Sequence, residues 1–188
     1  MIDSEIQKTA KIIQSGGIIL YPTDTIWGIG CDATKAESVQ KIYQIKRRSD
    51  SKSMLVLLSG IAMLEKYLDT VPTQALELIE KAAKPTTIIF PGALNLADNL
   101  LAPDGSIGIR LTSDPFCRGV IELTGKPLVS TSANISGERS PAVFHEIKPS
   151  VRDQVDYLVK WRQTENTPSA PSAIIKLEKD GTITTLRS

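Results

Sequence analysis

The sequence has 188 residues and a mass of 20.4 kDa, a length that buries a hydrophobic core without the help of a disulfide or a metal. Apolar residues make up 41% of the chain and charged residues 23%, which is typical of a globular domain and excludes a disordered chain. The net charge of +1 gives no general case for nucleic-acid binding. No apolar run reaches the roughly 20 residues of a membrane span.

Cysteine and histidine content excludes several classes of site. The two cysteines, Cys31 and Cys117, are far apart in the sequence, and His145 is the only histidine. This content excludes a disulfide framework, a cysteine-rich zinc site and any mechanism that needs a pair of histidines. Because Asp3 and Glu5 precede the first apolar stretch, we expect no signal peptide and a cytoplasmic location.

Hydrophobic periodicity and turn residues predict helices and strands that are interspersed along the chain. The predicted helices cover residues 2–13, 34–46, 61–68, 73–83, 115–124 and 149–155. The predicted strands cover residues 18–21, 54–58, 86–90, 107–111, 128–129 and 157–160, followed by a hairpin of 173–177 and 182–186. The predicted N-caps are Thr34, Thr73 and either Ser113 or Asp114. Because no linker divides the chain, we predict one α+β domain over residues 1–188 with a mixed sheet.

Two glycine-containing segments resemble nucleotide-binding motifs but lack the structural context of those motifs. Residues 28–33 match the dinucleotide pattern Gly-x-Gly-x-x-Ala, but the preceding strand ends at Pro22 instead of leading into the first glycine. Residues 119–126 are not followed by the serine or threonine of a phosphate-binding loop. We therefore exclude both kinds of site.

Three polar segments carry side chains that suit a small anionic ligand. Residues 21–30 place two threonines, an aspartate and a tryptophan between a strand and two glycines, as in the wall of a ligand pocket. Residues 41–52 hold five basic side chains against one acidic one, and such cations at a helix end bind phosphate oxygens. Residues 130–137 hold five hydroxyl or amide side chains. Each segment alone also fits a capped turn or a solvated helix end.

In this order along the chain, the segments resemble the YrdC-like threonylcarbamoyl-AMP synthase family, from about residue 5 to Arg187. Five motifs of that family are present: Pro-Thr-Asp-Thr with an aromatic residue and Gly-x-Gly at 22–30, Lys-x-Arg at 46–48, a strand ending in arginine at 107–110, Ser-x-Asn at 132–134 and Pro-Ser at 171–172. No single motif is specific, but the combination is. Ser49 and Ser53 replace two prolines that are usual in the family, a change that we expect to loosen this loop.

The resemblance implies a single YrdC-like domain, in which helices flank a twisted mixed sheet in three layers. It also implies an enzyme that forms threonylcarbamoyl-AMP and pyrophosphate from L-threonine, bicarbonate or CO2, and ATP. The product would serve the threonylcarbamoyladenosine modification of tRNA by a separate transferase complex. Mg²⁺ would arrive with ATP, because the sequence offers no dedicated set of carboxylate ligands. We expect the protein to be a monomer.

The resemblance also implies roles for individual residues. The expected catalytic residues, which neutralise the triphosphate or bind phosphate and bicarbonate oxygens, are Lys46, Arg48, Ser132 and Asn134. The other expected ATP contacts are Lys52, Ser106, Ser130, Ser140 and Arg187. The expected threonine contacts are Thr23, Arg110 and Ser172, with Arg110 paired to the threonine carboxylate. A structural ion pair at the end of a strand is the alternative role for Arg110.

Two other functions stay open on sequence grounds. In the first, the basic cluster at 41–52 holds double-stranded RNA or tRNA through its phosphates, without catalysis, and binding falls steeply with salt. In the second, a related domain transfers a carbamoyl-adenylate to another acceptor, so that a different substrate replaces threonine.

Overall fold

The computed structural model describes residues 2–48, 54–178 and 180–188. The helices are α1 (Ile2–Gln14), α2 (Ala36–Lys46), α3 (Leu64–Tyr67), α4 (Thr73–Lys81), α5 (Pro115–Thr124) and α6 (Pro149–Arg152), with 3-10 turns at Ile61–Met63, Asp98–Leu100 and Phe144–Glu146. In these three ranges, no helix has both the length and the apolar character to span a bilayer. The predicted ATP contact Lys52 and the two serines at 49 and 53 lie outside the described residues.

The strands of the described residues form one mixed sheet. They are β1 (Ile19–Tyr21), β2 (Gly28–Gly30), β3 (Leu55–Leu58), β4 (Thr86–Phe90), β5 (Ile107–Leu111), β6 (Leu128–Ser132), β7 (Tyr157–Leu158), β8 (Ala173–Leu177) and β9 (Ile183–Arg187). Their order across the sheet is β7-β1-β2-β6-β3-β5-β4-β8-β9. The pairs β1–β7, β3–β5 and β4–β8 are parallel, and the other neighbours are antiparallel.

An apolar cluster lies on each face of the sheet. On one face, α1 and α5 pack against the strands through a cluster that includes Ile13, Leu57 and Val120. The other face carries a larger cluster, to which β3 contributes Val56 and α2 contributes Ile42. Val56 and Leu57 enter different clusters because successive side chains of a strand point to opposite faces. The predicted mixed sheet flanked by helices in three layers is confirmed.

Strand β2 is missing from the sequence prediction, because Gly-Ile-Gly carries almost no strand signal. A Cβ atom at Gly30 would lie 2.4 Å from the Val129 carbonyl oxygen and 2.7 Å from the Tyr21 ring. Glycine is therefore needed for the close approach of β2 to its neighbours. The Tyr21 hydroxyl occupies this crowded space and donates a hydrogen bond to the Val129 carbonyl at 3.1 Å.

Two of the predicted N-caps are wrong, and one is confirmed. Lys35 precedes α2 without a side-chain cap, since the Thr34 hydroxyl donates to a neighbouring aspartate instead. Helix α4 begins at Thr73 itself, so this residue is not its cap. The Asp114 carboxylate caps α5 by accepting a hydrogen bond from the Cys117 backbone N–H at 2.9 Å.

Several predicted boundaries shift where tertiary contacts override the sequence pattern. The predicted helix over 61–68 divides into a 3-10 turn and α3, and the helices predicted to reach 83 and 155 end at Lys81 and Arg152. The strand predicted over 128–129 continues to Ser132, because it pairs with both β2 and β3. The predicted C-terminal hairpin is confirmed as β8 and β9, and Gly181 in its turn has the φ of +85° that favours glycine.

The pairing of β3 brings distant polar segments onto one face of the sheet. Leu55 lies opposite Ser130 of β6 on one side and Gly108 of β5 on the other, and Arg110 lies opposite Leu57. Helices α1 and α5 pack against part of this face, around Leu57. The serines of β6 and the arginine of β5 border open space that Leu55 and Gly108 also line. The register therefore assembles a polar surface beside the helical layer.

Candidate active site

A cavity of about 250 Å³ lies over this open end of the sheet. Its polar wall is made of three arginines and a set of hydroxyl side chains: Arg48, Arg110, Arg187, Thr25, Thr87, Ser130, Thr131, Ser132, Ser140 and Ser172. Among the described residues, no carboxylate lines it. A concave wall of one charge sign concentrates ligands of the opposite charge, so this cavity suits an anion.

The structure brings most of the described sequence-predicted site residues together on this wall. Those on it are Arg48, Arg110, Ser130, Ser132, Ser140, Ser172 and Arg187. Those placed elsewhere are Thr23, Lys46, Ser106 and Asn134. Thr25, Thr87 and Thr131 are hydroxyl residues of the wall that have no individual role in the sequence prediction. Thr25 and Thr131 belong to the predicted polar segments 21–30 and 130–137, whereas Thr87 lies within β4.

Arg48 reaches the cavity because of how α2 ends. Arg47, the residue after the helix, adopts the left-handed conformation with φ of 49° and ψ of 43°. The backbone N–H groups of Arg47 and Arg48 donate back to the carbonyls of Gln44 and Tyr43, at 3.0 Å each. This is a Schellman-type termination, which reverses the chain direction. Burial at the cavity wall lowers the pKa of Arg48, and the guanidinium is charged at any physiological pH.

Lys46, two residues earlier, points into the protein. It is 1% exposed, and its Nζ donates hydrogen bonds to the backbone carbonyls of Ser132 and of Asn134, the latter at 2.8 Å. In return, the Ser136 backbone N–H donates to the Lys46 carbonyl at 2.9 Å. Lys46 thus fixes the loop that follows β6 from behind. Burial, and to a smaller extent the charge of Arg48, together lower the pKa of Lys46 to about 7.

The buried ammonium of Lys46 predicts that stability rises with pH. Its pKa of about 7 lies below the ~10.4 of a lysine in an unfolded chain, so between these values the unfolded state binds more protons. From about pH 7 to about pH 8, where the cysteines of the unfolded chain are still mostly protonated, this group adds about 1 kcal/mol. Urea unfolding at the two pH values measures the rise, and Lys46→Met removes it. An equal rise in the variant would mean that the ammonium is not desolvated.

The loop after β6 carries both wall residues and internal supports. Ser132 lines the cavity, whereas Asn134 supports the loop: its Nδ2 donates to the carbonyls of Ile135 at 3.0 Å and Glu138 at 2.8 Å. These bonds hold a turn that includes Gly137, whose φ is +87°. The turn returns the chain to the cavity at Ser140. The predicted Ser-x-Asn pair therefore divides into one cavity residue and one loop support in this structure.

Arg110 is the most buried cation of the wall. Its side chain is 2% exposed, and its Nη2 lies 3.0 Å from Oδ1 of Asp24. The angles of this contact fall outside hydrogen-bond geometry, so within the described part of the chain Nε and Nη2 of Arg110 have no hydrogen-bond partner. Buried donors are normally satisfied. An anionic ligand in the cavity is the group that would complete this guanidinium.

The turn between β1 and β2 separates the two threonines of the predicted motif. The Thr23 hydroxyl accepts from the Thr25 backbone N–H at 2.9 Å and donates to the Ile26 carbonyl at 2.8 Å. Thr25 lines the cavity, with its hydroxyl 2.9 Å from that of Thr23. Thr23 therefore shapes the turn, and Thr25 is the threonine of this motif that faces the cavity.

The C-terminal segment closes one side of the cavity. The Ser172 hydroxyl lies 2.8 Å from that of Thr87, and Arg187 Nε donates to the Ser172 carbonyl at 2.8 Å. Burial lowers the pKa of Arg187, and the charge of Arg110 adds to this effect. Ser106 lies elsewhere, where its hydroxyl donates to Asp104 Oδ1 at 2.6 Å. A cluster of metal-binding type is absent from the described residues.

Comparison with known proteins identifies the family. The Sua5–YciO–YrdC family, described as "Telomere recombination", matches residues 11–188. Threonylcarbamoyl-AMP synthase of Pseudoalteromonas translucida is 30% identical over 174 residues, which are 91% of this chain and 92% of the relative.

Solved structures show the same fold. E. coli YciO matches with a TM-score of 0.85 and 25% identity, over 99% of this chain and 89% of that protein. P. abyssi Sua5, solved in complex with L-threonine, matches with a TM-score of 0.86 and 22% identity, over 98% of this chain. The chain spans 54% of that longer protein. On the strength of the family match and the close relative, the chain belongs to the Sua5–YciO–YrdC family.

Proposed function

We propose that this protein is a threonylcarbamoyl-AMP synthase, which joins L-threonine, bicarbonate or CO2, and the AMP moiety of ATP, and releases pyrophosphate. The observation that carries the proposal is the cavity wall of three guanidinium groups and clustered hydroxyls, assembled from the motifs that this chain shares with the family. The curated relative that matches nearly its whole length bears this name. The product would pass to a separate tRNA-modifying transferase.

The chemistry asks for positioning and charge neutralisation. The N-carboxylated threonine attacks the α-phosphorus in line, a new P–O bond forms, and pyrophosphate leaves with the electrons of the broken P–O bond. Such a step proceeds without a strong protein base, provided that developing charge on the phosphate oxygens meets preorganised donors. Arg48 supplies charge at the end of α2, and Ser130, Ser132 and Ser140 supply hydroxyl donors beside it. These residues form the triphosphate end of the proposed site.

Arg110 and the β1–β2 turn form the proposed threonine end. Nε and Nη2 of Arg110, which have no hydrogen-bond partner among the described residues, suit a carboxylate, which accepts two parallel hydrogen bonds from a guanidinium. Thr25 stands on the wall of the same cavity, and its hydroxyl is oriented through Thr23. Asp24 sits behind Arg110 and balances its charge when the substrate is absent.

Mg²⁺ would be held in this site by the substrate ATP and not by side chains of the described cavity wall. The described cavity wall offers hydroxyls and guanidiniums rather than carboxylates, and a hard divalent cation prefers carboxylate oxygens, phosphate oxygens and water. The phosphate oxygens of ATP, with water, are therefore the expected ligands. When bound there, the ion supplies charge neutralisation between the phosphates.

The sequence-based alternative, an RNA-binding module, keeps only part of its cationic cluster at the open surface. Lys46 is buried and Arg48 lines the cavity, whereas Lys41 and Arg47 are exposed. A phosphate backbone on an open surface would reach only the two exposed side chains among the described members of the cluster.

Pyrophosphate release from ATP, Mg²⁺ and bicarbonate, with and without L-threonine, tests the proposed function. We expect threonine-dependent release and a threonylcarbamoyl adenylate in the mass spectrum. A series with serine, valine and other amino acids identifies the acceptor. Release that depends on a different substrate would point to a related carbamoyl-adenylate transfer. Folded protein with no release under any of these conditions would contradict the proposal.

A further inference from the structure

Arg162 joins three parts of the chain that surround the cavity. It begins the 162–171 segment, which has neither helix nor strand and leads to Pro171 and Ser172 on the cavity wall. Its Nη1 donates to the Thr23 carbonyl and to Asp114 Oδ2, both at 3.0 Å, and its Nε donates to Glu165 Oε2 at 2.6 Å. One guanidinium therefore contacts the β1–β2 turn, the start of α5 and its own segment.

The backbone of Arg162 has a conformation that is costly for a residue with a side chain, and the Glu165 backbone N–H donates to its carbonyl at 3.2 Å. Its φ is +65°, in the left-handed region that costs a residue with a Cβ about 1 kcal/mol or more. Its side chain is 26% exposed, and Asp114, the principal carboxylate partner, is 6% exposed. The contact is thus more enclosed than a surface ion pair, for which little net energy is expected. Asp114 also caps α5 through its other oxygen, so its position is fixed independently.

A continuous line of polar contacts runs from Arg162 to the cavity. The Asp114 backbone N–H donates to the Thr112 hydroxyl at 3.2 Å, and that hydroxyl donates to Asp24 Oδ2 at 3.3 Å. Asp24 Oδ1 in turn contacts Nη2 of Arg110 at 3.0 Å. The last of these contacts is an ion pair and the others are hydrogen bonds, so a displacement of Asp114 is passed along them to Arg110.

We propose that Arg162 is a positioning residue for the amino-acid substrate: it fixes the β1–β2 turn and the 162–171 segment relative to Arg110. The proposal rests on the proposed function, because the threonine end of the site is assigned there. Arg162 itself is absent from the cavity wall. Its effect reaches Thr25 through Thr23, which Arg162 contacts directly, and reaches Arg110 through Asp114, Thr112 and Asp24. The triphosphate end, formed by the end of α2 and the loop after β6, makes no contact with this network among the described hydrogen bonds and ion pairs.

Steady-state kinetics of Arg162→Gly tests this role. Glycine removes the guanidinium and adopts a positive φ without strain, so the variant isolates the side-chain contacts. We expect KM for threonine to rise about tenfold, with KM for ATP and kcat changed less than twofold. Arg162→Lys, which keeps one cationic donor, should lie between the variant and the wild type. Arg118→Ala removes an exposed arginine of α5 that pairs with Glu122, and this control should match the wild type.

Amide hydrogen exchange gives a readout that is independent of catalysis. In Arg162→Gly, we expect faster exchange in residues 163–172 and at Thr25, and unchanged exchange in β6 and α2. Equal effects on both KM values, or none, together with wild-type exchange, would overturn the positioning role. If the wild-type enzyme shows no threonine-dependent reaction, the proposed function has failed. In that case, amide exchange in residues 163–172 and at Thr25 still tests the positioning role: faster exchange in Arg162→Gly supports it, and wild-type exchange contradicts it.

Discussion

Replacing Arg48 with alanine is expected to lower kcat/KM for threonylcarbamoyl-AMP formation by roughly 30- to 1,000-fold, equivalent to about 2–4 kcal/mol of transition-state stabilisation. Arg48 is a cavity-lining cation on the proposed triphosphate side. The backbone bonds that end α2 place Arg48 at the cavity wall, so its charge is in position before substrate binds. A preorganised donor contributes most when negative charge develops on the phosphate. Pyrophosphate release at saturating and subsaturating ATP measures the loss.

Two further variants separate charge, shape and fold in this test. Arg48→Lys keeps the charge without the fork, and we expect it to recover activity to within about tenfold of the wild type. Arg47→Gly removes the neighbouring exposed cation, and glycine suits the positive φ of that position. This matched control should retain wild-type turnover. If folded Arg48→Ala also keeps wild-type turnover at saturating ATP, the triphosphate does not lie beside α2.

The sequence predicts the sites of polar groups better than their directions. Lys46 and Arg48 are two positions apart, and both read as cations at a helix end. In the structure, Lys46 belongs to the buried face of α2, and its ammonium binds carbonyls behind the loop. Arg48 lies beyond the left-handed Arg47, where the chain has turned. The left-handed conformation of Arg47 therefore separates Lys46, which supports the loop, from Arg48, which lines the cavity. The sequence does not indicate this conformation, because glycine is the usual residue at such a position.

The sequence predicts a structural feature correctly where neighbouring residues alone determine it. The Asp114 cap needs only a carboxylate at the start of a helix whose first residue is proline, and the C-terminal hairpin needs only its Asp-Gly turn. Strand β2 depends instead on space that glycine provides for the ring of Tyr21. Ser106 shows the same limit for the site: it follows the long loop and precedes β5, yet its hydroxyl serves Asp104. Long-range packing, which one sequence does not display, decides these cases.

The network at Arg110 explains why one cation serves both stability and binding. An arginine buried to 2% exposure needs a countercharge, and Asp24 provides it at 3.0 Å. Because that contact leaves Nε and Nη2 without aligned acceptors, the guanidinium keeps its hydrogen-bonding capacity for a ligand. The alternative role considered for Arg110, a structural ion pair, is therefore present in the structure alongside the proposed threonine contact.

Replacing Arg110 with methionine is expected to raise KM for threonine by roughly 10- to 150-fold, because hydrogen bonds to a charged group are worth about 1.5–3 kcal/mol. The KM for ATP should change much less, since the triphosphate is assigned to the Arg48 side of the cavity. The single variant also removes the partner of the Asp24 carboxylate, a side chain that is only 11% exposed. A buried charge left unpaired in this way destabilises a fold by about 3–5 kcal/mol.

The double variant Asp24→Asn with Arg110→Met removes both charges and separates these two effects. We expect urea unfolding to show that it regains most of the lost stability, because no unpaired buried charge remains. Its KM for threonine should stay as high as in the single variant, since the carboxylate-binding nitrogens are still absent. A double variant that recovers both stability and threonine affinity would show that Arg110 acts only as a structural partner of Asp24. In that case, the threonine carboxylate would need another cation on the same wall, and Arg187, whose guanidinium borders the cavity beside Ser172, would be the next residue to replace.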